Sequence, residues 1–164
     1  MYKGIGASKG YGIGRVIISK EINLDYEPKT NCNPKEEKAR FDSAIDQFCD
    51  KNEKLAKTVA SSAGESAAEI INGHIMMVKD PYMCSEIEKL INEGKCAETA
   101  FETICDMFIT IFSSVDDELT RQRATDVKDI KAEILGIMLG KETVDLTNLP
   151  KDTVLVAKEL TPSM

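Results

Sequence analysis

With 164 residues, 42 % of them hydrophobic and 30 % charged, the chain has the make-up of a globular protein able to bury a core without staples. Its 28 acidic residues against 21 basic ones leave a net charge of −7. That argues against nucleic acid or an anionic membrane as the main partner and suits a basic protein surface. The five cysteines, Cys32, Cys49, Cys84, Cys96 and Cys105, contain no CxxC spacing, and His74 is the one histidine. No zinc site is therefore expected, and free thiols in a reducing cytosol are the plain reading. The first ten residues carry glycines where a signal peptide needs an apolar region, and no run approaches the roughly 18 apolar residues of a membrane helix. The expected location is the cytoplasm.

The chain falls into three parts of different texture. Residues 1–32 open with "KGIGASKGYGIG", followed by "RVIIS", in which Val16, Ile17 and Ile18 read as a short buried strand. The Gly-x-Gly stretch does not make a dinucleotide fingerprint, because that motif needs a strand before the glycines and a helix after them. "NLDYEPKTNCNP" reads as a loop.

Residues 33–141 read as helical. Asn33, Pro34 and Glu36 combine an N-cap, a first-turn proline and a capping-box glutamate. Phe41, Ile45, Phe48, Leu55 and Val59 form a narrow apolar stripe behind them, interrupted at Asn52. A second helix covers about Glu65 to Val78, carrying Ala67, Ile70, Ile71 and Ile75 at helical spacing. Asp80-Pro81 restarts helix as cap and first residue, and this segment runs to Gly94. Ala100, Phe101, Ile104, Phe108, Ile111, Phe112 and Val115 mark a further helix between 96 and 115. A last one runs to Gly140 behind Val127, Ile130 and Ile134. In the charged stretch around "DDELTRQRA", Asp117 and Arg121 stand at i,i+4, and residues near Phe112 and Val115 suit the polar rim of an interface.

Residues 142–164 change texture again. "VDLTNLPKD" is turn-like, and Thr153 to Ala157 is a β-branched strand candidate. Two short strands of buried type thus flank a helical segment, although such strands need a sheet of several neighbours. Either they form a minimal hairpin, or the chain is the front part of a longer protein; the second reading is preferred.

His74 invites a catalytic reading, yet no serine, cysteine and carboxylate constellation can be placed around it from the sequence. A helix residue that packs and makes one hydrogen bond is the preferred reading. Met76, Met77 and Met83 lie within eight residues of one another. They read either as core filler or as an adaptable partner surface.

Four stretches, "GIGASKGYGIGRVII", "GHIMMVKDP", "RATDVKDI" and "VLVAKELTPS", resemble in order the N-terminal part of enzyme I of the bacterial phosphoenolpyruvate:sugar phosphotransferase system. The resemblance covers essentially the whole chain. It implies a mainly α fold: a four-helix domain that binds the phosphocarrier protein HPr, inserted in an incomplete α/β phosphohistidine (swivelling) domain. Residues 1–32 would be the first part of the α/β subdomain, 33–141 the helical insert and 142–164 the return strand.

The family's phosphorylated histidine sits in a "GGRTSHT"-like stretch expected after Met164. His74 then matches a helix histidine, and no catalytic residue is expected in this chain. The resemblance places HPr-binding positions at Glu65, Met76, Met77, Met83, Phe112, Val115, Leu119 and Arg123, with Thr161 as a supporting contact to the phosphohistidine. Ser66 and Pro81 stand where relatives often carry glutamates. No cofactor or metal is expected in this chain, magnesium is expected for the parent enzyme, and the chain would be monomeric where the parent is a homodimer. A stand-alone helical protein-binding module without phosphoryl transfer is the alternative. A swivelling-domain enzyme acting on pyruvate chemistry and catalysis by His74 are weaker rivals.

Overall fold

The computed structural model describes residues 6–19, 23–141, 149–158 and 160–162. Gly4, the turn-like stretch from Val144 to Asn148, and Ser163 lie outside the described residues. Chain contacts divide the protein into two compact units. One comprises Met1–Glu21, Val144–Leu160 and Met164; the other comprises Ile22–Thr143 and Thr161–Ser163.

In the first unit, β1 (Arg15–Ile18) and β2 (Thr153–Val156) pair in parallel, Arg15 opposite Thr153 and Ile18 opposite Val156. A tight hairpin is thereby excluded, because parallel strands need a long crossover. Arg15 N donates to Asp152 O at 2.8 Å, and a Cβ on the preceding Gly14 would overlap that same carbonyl. Glycine at this position is what lets the two segments approach. The expected burial of β1 is not found: Val16 is 58 % and Ile18 67 % exposed. Burial of an all-apolar strand requires layers on both faces, and the described sheet has two strands.

Among the described residues the second unit holds five helices where the resemblance implies four main ones: α1 (Pro34–Ala63), α2 (Glu65–Val78), α3 (Pro81–Asn92), α4 (Ala97–Ser113) and α5 (Glu118–Met138). The extra division falls at Asp80-Pro81. Asp80 Oδ1 accepts from the amides of Tyr82 and Met83, each at 3.0 Å, so the restart has its own cap. At the start of α1, Asn33 Oδ1 accepts from Lys35 N at 3.1 Å. Glu36 receives the Asn33 side-chain amide at 3.0 Å, a side-chain version of the expected capping box. Gly64, at φ 95°, joins α1 to α2 in one residue, a conformation that favours glycine. Residues 23–32 are an extended loop whose Leu24 and Tyr26 pack on the helical core. Thr30 bridges to Lys95, so this loop goes with the helices rather than with β1.

The buried stripe of α1 is Phe41, Ala44, Phe48, Asn52 and Ala56, whereas Ile45, Leu55 and Val59 are half-buried. Small residues on this line admit α2 closely: Ala56 packs with Ala68 and Ile71. Phe48 and Phe101 are fully buried in the main core with Ile87, Ile130 and Ile134. Asn52 does not break the helix. Its amide donates to Phe48 O at 3.0 Å and to the buried Glu133 at 3.2 Å, and Lys51 pairs with the same carboxylate at 2.7 Å. The N-terminus of α4 has no side-chain cap from Cys96. Glu37 of α1 supplies one instead, accepting from Ala97 N at 2.8 Å, while Arg40 bridges Glu37 and Glu98.

Truncating Phe101 to Ala should remove about 3–5 kcal/mol of stability, since a large buried ring leaves a cavity that close packing cannot collapse. Tyr11→Ala, at a fully exposed position, should change stability by less than about 0.5 kcal/mol. Urea unfolding followed by circular dichroism checks both values.

Candidate functional site

Two junctions bring the end of α2 and the start of α3 beside the turn between α4 and α5. At the first, α2 crosses α5: a Cβ on Gly73 would lie 4.0 Å from Arg123 Nη1. At the second, Tyr82 of α3 meets Phe108 of α4 edge-on with ring centroids 6.2 Å apart, and Phe108 contacts Phe112 at 5.8 Å. The amphipathic pattern of each helix covers its inward face here and leaves large apolar side chains outside. Met76 is 75 % and Leu119 73 % exposed, with Tyr82, Ile111 and Val115 also exposed. Asp116, Asp117 and Glu118 stand in the same turn, all exposed. The result is an apolar surface with an acidic rim.

Of the expected site residues, Met76, Val115, Leu119 and Arg123 are exposed on this region, and Met77 and Phe112 are half-buried against the core beneath it. Met83 is corrected: at 3 % exposure it belongs to the core with Ile87 and presents nothing to a partner. The methionine trio is thus split, one facing out, one between and one inside. Glu65 is exposed but is the first residue of α2, about 16 Å along the helix axis from Met76. It forms a separate acidic point. Thr161 is half-buried on the segment after β2.

The sequence reading missed Tyr82, Phe108 and Ile111. Tyr82 follows Asp80-Pro81 directly, and an aromatic at the second position of a capped helix start, outside the inward spacing of Met83 and Ile87, is the signal that could have found it.

His74 is 2 % exposed in α2, within the core rather than in a cleft. The single hydrogen bond expected of it is not formed at Nε2, whose nearest charged neighbour is Asp126 Oδ1 at 3.6 Å. Among the described residues no group of three or more metal-ligating side chains is found, and no helix is long and apolar enough to cross a membrane. The expected Asp117–Arg121 pair is corrected as well. Asp117 caps α5, accepting from Thr120 N at 2.8 Å and its hydroxyl at 2.6 Å, while Arg121 pairs with Glu118 at 2.7 Å. A capping carboxylate turned back on the first amides is unavailable to a side chain one turn further on.

Comparison with known proteins gives this geometry a family. The family described as "PEP-utilising enzyme, N-terminal" matches residues 3–123, well over half of the chain. The chain belongs to this family. A phosphoenolpyruvate-protein phosphotransferase of Listeria monocytogenes is 35 % identical over 162 residues, covering 98 % of this chain and 28 % of the relative. The protein of the same name from Bacillus subtilis is 32 % identical with the same coverage. The chain therefore spans less than a third of the length of these curated relatives. An NMR solution structure of Enzyme I (nEIt) superposes with a TM-score of 0.85 at 28 % identity, covering 99 % of this chain and 67 % of that one. The structure titled "N-terminal domain of Enzyme 1 - Nitrogen" shares the fold at a TM-score of 0.73 and 21 % identity.

The Asp117 cap carries a pH dependence. The Thr120 hydroxyl first, then the Thr120 amide, hold the Asp117 carboxyl below its ordinary value of 3.8. In the unfolded chain it returns to that value, so its stabilisation of the α5 start is present above pH 3.8 and is lost as pH falls through the lowered native value. The Thr120 amide resonance should titrate with a midpoint below 3.8, and Asp117→Asn should abolish that titration while keeping the cap.

Proposed function

We propose that the helical unit is the HPr-docking part of an enzyme I, that is, of a cytoplasmic phosphoenolpyruvate-protein phosphotransferase that passes a phosphoryl group through a histidine to HPr in sugar uptake. The observation that carries this reading is the exposed apolar surface formed by Met76, Tyr82, Ile111, Val115 and Leu119, with Arg123 on α5 and acidic residues in the adjoining turn. The shared name of the curated relatives and the fold shared with Enzyme I support it. The stand-alone module is not favoured, because the family match takes in β1 together with the helices up to Arg123.

Within this reading the apolar side chains set the lifetime of the complex. Burying an exposed leucine or methionine is worth about 1.5–3 kcal/mol, and a few such central residues dominate a binding energy. The net charge of −7 steers a basic partner and acts mainly on the association rate, so its effect falls with salt. The parallel β1–β2 pair, with the helices between its strands in sequence, would be part of an α/β phosphohistidine subdomain into which the helical domain is inserted. Transfer between two histidines is then a matter of positioning, and the docking surface holds HPr in line. Thr161 would contact the phosphohistidine carried by the parent chain. The magnesium expected for the parent enzyme would belong to its phosphoenolpyruvate site, outside the helical domain.

Calorimetric titration with HPr tests the reading. The chain should bind one HPr, more weakly at 0.5 M salt than at 0.05 M. Leu119→Asp and Met76→Asp should each weaken binding by about tenfold or more, about 1.4 kcal/mol, without lowering stability. A folded chain that shows no heat with HPr at low salt contradicts it.

A further inference from the structure

Nε2 of His74 is a buried polar atom with no hydrogen-bond partner among the described residues. A buried donor or acceptor left unpaired is costly, so its neighbours are informative. Asp126 Oδ1 lies 3.6 Å away, just beyond hydrogen-bond range, across the junction of α2 with α5. The other oxygen of the same carboxylate, Oδ2, is 3.8 Å from Arg123 Nη1. Arg123 in turn lies over the α2 backbone at Gly73, the residue before His74. The imidazole is 2 % exposed, the Asp126 side chain 25 % and the Arg123 side chain 56 %. Exposure thus rises in order from His74 through Asp126 to Arg123.

We infer that His74 and Asp126 are positioning residues for Arg123. The imidazole Nε2–H orients the Asp126 carboxylate, and the carboxylate holds the guanidinium over Gly73, where it donates to an acceptor oxygen of the docked partner. The inference rests on the docking reading above for the last of these steps only. An exposed arginine gives up rotamer freedom when it binds, and a carboxylate that has already restricted it reduces that loss. The arrangement also gives a role to a histidine where an aliphatic residue would fill the same space: the buried imidazole faces a carboxylate of the neighbouring helix. No phosphoryl chemistry is assigned to His74.

The test uses the full chain labelled with 15N. Long-range proton–nitrogen spectra should show His74 as the Nε2–H tautomer and the Arg123 Nε–Hε signal dispersed from its free-chain position. Asp126→Asn and His74→Leu should collapse that signal toward the free-chain value, whereas His74→Gln, whose amide can donate to Asp126, should retain it. Titration with HPr should show about fivefold weaker binding for Asp126→Asn and less than about twofold change for His74→Gln. In an Arg123→Ala background, Asp126→Asn should add less than about twofold, because its effect passes through Arg123. An Nδ1–H tautomer, or an Arg123 signal indifferent to Asp126→Asn, overturns the inference, and because asparagine keeps the size and shape of aspartate that variant stays folded. Absence of HPr binding by the wild-type chain would refute the docking reading, while the Arg123 signal would still decide the positioning claim.

Discussion

Every other helix among the described residues packs against α1, and that constraint shapes the rest. A 30-residue helix is about 45 Å long, and α1 meets each of the other four along one face. The face is made for it: Phe41 meets Phe101 of α4 with ring centroids 6.0 Å apart, Phe48 is fully buried in the same core, and alanines further on let α2 lie close. Polar residues on the same face are paired rather than excluded. Asn52 reaches Glu133 of α5, and Glu37 caps α4 through Ala97 N. Such contacts add little net stability when formed, but an unpaired partner is costly, so they select one register of helices over its neighbours.

With α1 at the back, the apolar faces of α2, α4 and α5 are used up only in part. Toward the end of α2 and the α4–α5 turn the core runs out while the hydrophobic residues continue. Met83 and Ile104 close the core, and Met76, Ile111, Val115 and Leu119 lie outside it. Isolated exposed hydrophobics are normal on any protein, but several at one junction, bordered by acidic residues, are the usual make-up of a partner surface. Rigid helices position them, so little ordering is required when a partner arrives.

Much of this was legible in the sequence where the determinant is local. Asn33-Pro34 and Asp80-Pro81 start helices because a side-chain oxygen and a missing amide act within one turn. The apolar spacing of α5 marked its inward face, whereas that of α4 ran on past the core to Ile111 and Val115, which are exposed. What was not legible depends on partners distant in the chain. The carboxylate beside His74 is Asp126, more than fifty residues along the sequence, and no local spacing points to it. Met83 and Met76 are the same residue type in one short stretch, and only the turn at Lys79–Asp80 decides that one points in and the other out. The burial expected of Val16 and Ile18 is a property of a whole sheet rather than of a strand. The family resemblance pointed to residues of α2, α4 and α5 but carried no information on which of them are exposed and which are buried.

The most direct measurement is a map of amide and methyl shift changes in the labelled chain on titration with HPr. The account predicts changes concentrated at Met76, Met77, Tyr82, Ile111, Phe112, Val115, Leu119 and Arg123, with Met83 and the α1 stripe responding weakly. Changes confined to the exposed side of α1, or to β1 and β2, would contradict it, because the partner would then be using a surface that these helices were not arranged to present.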